Sequence, residues 1–491
     1  MTPPEVPALH GLRPPPGRQY LGAIMIGMSR ALAVSRDRPH ALIAALALFL
    51  LLATVLLKIS VPMVALAIVV LAAALVTLMR PELGLHVLVL NALIGLTHVV
   101  DPPRIGPVSA PVLIEAAVMA AMLFQMAFAR RRIPFATLQH ALLGLLAAWI
   151  FVSLLWGTRV GPENFQDYRN LFLIRLVMFL LVTGLITTRD GIRRLIVTFM
   201  ISNVGLLSVA AAVRLGWFGQ ERISTSQNFE RTGALVQNPN ELAFNLTTML
   251  VITIFTWLHA RRPFARALLL GLAMADLLGI LSTLSRSGFI SMCVVVLFLL
   301  FRLTRNLRAV SAMLALALVG WLMMPQELFA RFAGIDEVRD VDRVQVAQVG
   351  LAMALDNPLT GVGLGNYVAN FWNYNVSNMR RAAPSHNMYL DLAAQMGLPA
   401  LALYLAVLWI TWRGLRAMEK DLVGAGDRRS FSYLYGLALQ AFLVNLAVFG
   451  LSGDVEFDYG VFIMLGMAVT LIQWHRGQET ERAARGASGR N

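Results

Sequence analysis

The sequence predicts an all-α polytopic membrane helix bundle, about 12–14 transmembrane helices with a large outer loop containing short helices. Three observations predict it. The 491 residues are 58% hydrophobic and only 14% charged. Apolar runs of about twenty residues recur along the chain, the length a helix needs to cross a hydrocarbon core of ~30 Å. The connections between runs alternate between strongly basic and weakly basic. Backbone amides in lipid need partners within their own segment, so runs of this length form helices rather than strands.

Taken in order, the runs fall near residues 41–57, 59–79, 83–100, 109–128, 139–156, 171–188, 195–213, 241–259, 267–284, 288–301, 309–324, 398–412, 431–450 and 459–474. Little more than Lys58 separates the first two, and Ser285-Arg286-Ser287 separates the ninth from the tenth. The short apolar stretch Leu21–Met28 sits in a segment rich in Pro and Arg and reads as interfacial, leading into an uncleaved first span. The polar tail beyond His475 reads as disordered.

Basic residues orient the bundle. With the N-terminus inside, 27 of the 41 lysines and arginines fall in inner segments and 13 in outer ones. That places both termini in the cytoplasm and the loops 214–240 and 325–397 outside. The net charge of +14 is then an orientation and anionic-lipid signal, with membrane lipids as partners and no nucleic acid. The single Cys293 lies in a span, so no disulfide staples the outer loops.

Polar groups kept in or beside a membrane mark function or pairing. Arg169 and Arg175 flank the outer end of the sixth run, and Arg231 lies in the segment leading to Asn238-Pro239-Asn240, where Asn240 reads as the cap of the eighth. Arg286 occupies the tight Ser285-Arg286-Ser287-Gly288 reversal, either as a headgroup anchor or as a phosphate ligand. In the long loop, Arg343–Leu355 suits a surface helix, and Pro358, Gly361, Gly363 and Gly365 enforce an irregular turn. No strand precedes these glycines, so they are no dinucleotide fingerprint; they serve either ligand approach or packing. Ser385 reads as a helix cap, which puts His386 and Asn387 in a first helical turn. A histidine there is either structural or a general base, since imidazole ionises near neutral pH.

The remaining polar residues read as structural. The histidines are scattered, and the acidic patches Asp336, Glu337, Asp340, Asp342 and Asp454, Glu456, Asp458 read as solvated charge, so no metal site is expected. Glu115 and Asp276 lie within runs, and one of them is expected to pair with Arg175, a proton relay being the alternative.

Together, Arg231 with Asn238-Pro239-Asn240, Ser285–Gly288, Arg343 ahead of Asn357–Asn366, and His386-Asn387 with Gly397 resemble the O-antigen ligase and polymerase superfamily of bacterial envelope enzymes. The resemblance covers about residues 225–410. It departs at Gln395, where the family usually carries an acid, and at Pro399, where it often carries glycine. The resemblance implies a metal-independent, cofactor-free, inverting transfer of glycan from an undecaprenyl-diphosphate carrier to an acceptor hydroxyl. The protein would sit in the inner membrane with a periplasmic active site. The acceptor would be lipid A–core or another glycan, and polysaccharide assembly proteins would be further partners.

Residue by residue, His386 and Arg286 would be catalytic, and Arg231, Arg343, Arg169, Arg175 and Asn387 would bind diphosphate or substrate. The chain then divides into a cytoplasmic segment (1–39), an N-terminal bundle (40–213), a catalytic module (214–412, including the loop 325–397), a C-terminal pair (413–474) and a tail (475–491). Protein O-oligosaccharyl transfer is another use of the same module. A polysaccharide transporter or flippase is the competing class, and it would show internal repeats and charges near the midplane.

Overall fold

The computed structural model describes residues 80–94, 104–105, 108–109, 116–123, 137–215, 223–226, 229–232, 238–303, 307–322, 337–374 and 382–488. The first two expected spans, Glu115, Asp336, Arg380 and Arg381 lie outside the described residues, as do the side chains of Arg231, Glu337, Asp340 and Asp342.

The chain runs through α1 (Pro81–Ile94), the hairpin β1 (Arg104–Ile105) and β2 (Val108–Ser109), α2 (Leu138–Leu155) and α3 (Pro162–Asp167). A π-helical segment, Tyr168–Leu173, carries α3 into α4 (Ile174–Leu185). Then come α5 (Arg189–Arg214), the hairpin β3 (Ile223–Ser226) and β4 (Phe229–Thr232), α6 (Pro239–His259), α7 (Pro263–Ser282), α8 (Arg286–Leu303) and α9 (Leu307–Leu322). The outer loop holds α10 (Glu337–Asp356) and α11 (Tyr367–Tyr374). Finally α12 (Met388–Gly424), α13 (Phe431–Phe449) and α14 (Tyr459–Ser488) close the chain.

The fold is thus an all-α bundle. Among the described residues, eight helices are long and apolar enough to cross a membrane. Burial separates their places: the apolar windows of α6 and α13 are 78% and 83% buried, whereas that of α7 is 28% buried. A helix apolar all round fits either lipid or a core, so α6 and α13 form the centre and α7 offers its sides to lipid. Phe244 of α6 and Phe449 of α13 pack at 5.2 Å between ring centres in that core.

Helix ends follow their caps. Asn238, not Asn240, caps α6: its side chain accepts from Asn240 N at 3.0 Å, while Pro239 supplies the fixed φ of a first helical position. Asp276 is fully buried on α7, but its partners are Asn203 of α5 (3.1 Å) and Thr253 of α6 (3.3 Å) rather than Arg175. Neutral amide and hydroxyl donors were nearer on the packed faces than any cation.

The feature that positions the functional residues is a break in α12. Gly397 has φ +80°, separating residues 388–396 from the longer helix that Pro399 helps to start. A Cβ at Gly397 would lie 1.8 Å from the Leu359 carbonyl oxygen, so only glycine fits. Gly397→Ala should therefore cost about 3 kcal/mol or more and lower the melting temperature of the detergent-solubilised protein. Gly424→Ala, where a Cβ meets nothing within 4 Å, should leave it near wild type.

Candidate active site

A broken helix leaves backbone groups without their helical partners, and the glycine loop supplies replacements. Val362 N donates to Ala394 O (2.8 Å), Gly363 N to Gln395 O (2.9 Å) and Leu398 N to Pro358 O (2.8 Å). Such contacts need backbone against backbone. A Cβ on Gly361 would fall 2.3 Å from the Gln395 carbonyl carbon, and one on Gly363 would fall 2.8 Å from Gly157 Cα. Of the two readings of the glycines, the packing one is seen directly: Gly361 and Gly363 pack the loop against α12 and the end of α2.

Asn366 completes the clamp. Its amide donates to Arg159 O (2.9 Å) and its oxygen accepts from Asn164 of α3 (3.0 Å). Gln395 joins the loop to the acidic interior, because its oxygen accepts from Gly365 N (2.7 Å) and its nitrogen donates to Asp391 Oδ2 (2.6 Å). An amide serves both contacts at once, whereas an ionised carboxylate at this position would face the Asp391 carboxylate.

His386 stands just before the helix, not in its first turn. Its φ is +50°, a conformation that side chains other than glycine seldom adopt. The cap is Asn387, whose oxygen accepts from Tyr389 N (3.0 Å) and Leu390 N (3.1 Å). Ser385 instead accepts from Asn387 N (3.2 Å) and donates to Asp391 Oδ1 (3.2 Å). The expected face-sharing of His386 with Tyr389 therefore fails, since His386 is not helical. Three bonds lash this junction to the end of α13: Met388 N to Gly450 O (2.8 Å), Asn387 Nδ2 to Leu451 O (3.2 Å) and the Tyr389 hydroxyl to Ala447 O (2.7 Å).

The imidazole meets Asp454, with Nδ1 3.1 Å from Oδ2, while 40% of the His386 side chain stays exposed. With Nδ1–H donating to the carboxylate, Nε2 carries the lone pair. The arrangement presents a proton acceptor to an incoming hydroxyl, with a carboxylate behind it to stabilise the imidazolium.

Asp454 belongs to Asp454-Val455-Glu456-Phe457-Asp458, the short connection between α13 and α14. This patch is not solvated charge. Glu456 is 5% exposed, and its carboxyl is hydrogen-bonded to that of Asp391. Burial pushes the Glu456 carboxyl well above its ordinary value, and the nearby charges of Asp391 and Asp454 push it further. Asp458 is raised by burial as well, despite bonds from Gly460 N and Asn245 and the nearby Arg175.

Arg175 closes the same connection from α4: its Nε donates to Phe457 O (3.0 Å), and its guanidinium lies 4.1 Å from the Tyr459 ring centre. Arg286 begins α8 beside α6, because Ser285 Oγ donates to Asn240 Oδ1 (2.8 Å) and a Cβ on Gly288 would touch that of Ala243. Glu241 on that turn of α6 lies within electrostatic reach of Asp454 and Asp458. The structure therefore gathers His386, Asn387 and Arg175 around one connection, while the turn that carries Arg286 packs on the start of α6. Arg169 is exposed on the π-helical segment, with Nε donating to Asn170 (3.0 Å), and Arg343 is exposed on α10.

Sequence reasoning passed over Asp391, Asp454 and Glu456 as site residues. For Asp454 and Glu456 the available signal was the length of their connection: nine residues between two buried helices leave little room for the three acids Asp454, Glu456 and Asp458 to be solvated.

Residues 271–405 match the family model for O-antigen ligase, a segment that holds Arg286, Arg343, the glycine loop, His386 and the break at Gly397. No match to the chain is found among curated proteins.

The raised Glu456 carboxyl makes stability depend on pH with a definite sign. The folded state binds this proton more tightly than the unfolded state, so the stabilisation is complete below the ordinary value of 4.5 and is lost as pH rises toward the folded value. Glu456→Gln, neutral at every pH, should match wild type near about pH 5 and melt at a higher temperature than wild type near about pH 9. Thermal melts of both proteins across that range provide the check.

Proposed function

Taking residues 271–405 as a domain of the O-antigen ligase superfamily, we propose that this glycan transferase moves a glycan from an undecaprenyl-diphosphate carrier to an acceptor hydroxyl at the periplasmic face. The observation that carries the proposal is the His386–Asp454 pair, a part-exposed imidazole whose Nδ1 lies 3.1 Å from a carboxylate oxygen. The acceptor oxygen attacks the anomeric carbon while Nε2 of His386 takes its proton. The bond from that carbon to the carrier diphosphate breaks in the same displacement, so the anomeric configuration inverts. The carrier diphosphate leaves with the bonding electrons, and Asp454 stabilises the imidazolium that remains.

The departing diphosphate gathers negative charge at headgroup depth, where fixed guanidinium groups are most effective. Arg286, at the start of α8, is the first such group, and Arg231 is the second by its place in the chain. Arg175 acts differently, because its bond to Phe457 O fixes the connection that holds Asp454. Arg169 and Arg343 contribute positive charge at the rim, and Asn387 orients His386 by capping α12.

The acceptor is lipid A–core if the protein is a ligase, and a second carrier-linked glycan if it is a polymerase. Gel analysis of lipopolysaccharide and secreted polysaccharide from a deletion strain separates them. Loss of banded lipopolysaccharide with accumulation of carrier-linked glycan marks a ligase; normal lipopolysaccharide with missing or single-repeat polymer marks a polymerase. Complementation with His386→Ala or Arg286→Ala should lower transfer by about 10²–10⁴-fold while the protein still accumulates. Unchanged transfer by either variant would refute its assigned role.

A further inference from the structure

At the end of the bundle away from His386, α12 and α14 carry a second constellation that the transfer reaction does not use. The two helices pack in parallel and in register. A Cβ on Gly414 would lie 2.8 Å from Ile472 Cδ1, and two turns further along both helices Asp421 comes beside Glu479. His475 lies one turn before Glu479 on the same face of α14, the i, i+4 spacing that lets two side chains share one ligand.

The ligand atoms of Asp421, His475 and Glu479 all lie within 4.8 Å of one another, the one such grouping among the described residues. His475 is only 8% exposed, yet its Nε2 makes no hydrogen bond; the nearest acid oxygen, Glu479 Oε1, stands at 3.4 Å. This buried imidazole nitrogen stands at ion-pair distance from one carboxylate without a hydrogen bond to it and shares a 4.8 Å cluster with a second, a grouping in which a metal ion would accept electron pairs from all three side chains.

We propose that Asp421, His475 and Glu479 form a binding site for a divalent transition-metal ion of the zinc class, which joins the end of α12 to the extension of α14. One imidazole and two carboxylates are a donor set for zinc or its first-row neighbours, and too soft a set to favour magnesium. Tetrahedral zinc at ~2.1 Å from its ligands sets donor atoms about 3.4 Å apart. The exposed Asp421 and Glu479 side chains reach that spacing by rotamer adjustment toward the fixed imidazole. Three protein ligands leave a fourth position for water or for an inner-face partner. The site is separated from His386 by the length of α12, since Asp421 lies some two dozen residues beyond Gly397, about 36 Å along a helix. It therefore bears on helix docking rather than on glycan transfer.

The test uses the full-length, untagged protein in detergent, stripped with chelator and equilibrated with zinc chloride, with bound metal counted by mass spectrometry. The expected result is about one zinc per chain, weakened at least about tenfold in Asp421→Asn and in Glu479→Gln, with no comparable binding of magnesium. Both substituted positions are exposed, so the variants should keep the wild-type elution profile. Zinc should also raise the melting temperature of the wild type and not that of Glu479→Gln. Wild-type protein that binds no stoichiometric zinc would overturn the proposal, as would variants that bind it with unchanged affinity.

Discussion

Everything at the candidate active site depends on how the chain satisfies the backbone groups freed at Gly397. In lipid or at its edge, an unpaired amide or carbonyl costs several kcal/mol, so a helix cannot simply stop. The break is tolerated because a second segment, glycine-rich and therefore able to approach closely, supplies donors to Ala394 and Gln395 and an acceptor to Leu398. That pairing holds residues 388–396 apart from the rest of α12 as a separate short helix. The capped start of this short helix is what sets His386 against the α13–α14 connection. The glycines and the histidine, twenty residues apart in the chain, are two ends of one device.

The second layer is electrostatic. Asp391, Asp454 and Glu456 crowd into a volume where three full negative charges would repel strongly, and burial keeps Glu456 protonated beyond the ordinary carboxylate range. Of the three acids, Asp454 is the one that faces His386. Ser385 and Gln395 direct their donors to Asp391, which ties the acid cluster to both the histidine turn and the glycine loop. The arrangement accounts for Gln395: an amide joins Gly365 N to Asp391 without adding charge.

Much of this was legible in the sequence. The long apolar runs pointed to the all-α membrane bundle, and the Ser285–Gly288 reversal, the glycine loop and His386 stood out because polar and glycine residues interrupt apolar sequence there. The failures have a common physical origin. Ser385 and Asn387 are both good caps, and the tertiary bond from Asn387 to Leu451 favours the second. The acids at 454–458 look solvated until α13 and α14 enclose them. Arg175 found its partner in a backbone carbonyl nearly three hundred residues away, which no local pattern encodes. Asp421 and His475 likewise sit on helices that only the fold makes neighbours.

At the heart of the proposed mechanism, His386 takes the acceptor's proton while Asp454 fixes its tautomer and stabilises its charge. The sharpest test is single-turnover glycan transfer by Asp454→Asn in vesicles supplied with carrier-linked donor, alongside donor binding by the same protein. The expected outcome is a transfer rate lower by about 10²-fold or more, with donor affinity within about threefold of wild type. A wild-type rate in Asp454→Asn, or a loss confined to donor binding, would contradict this role for the pair.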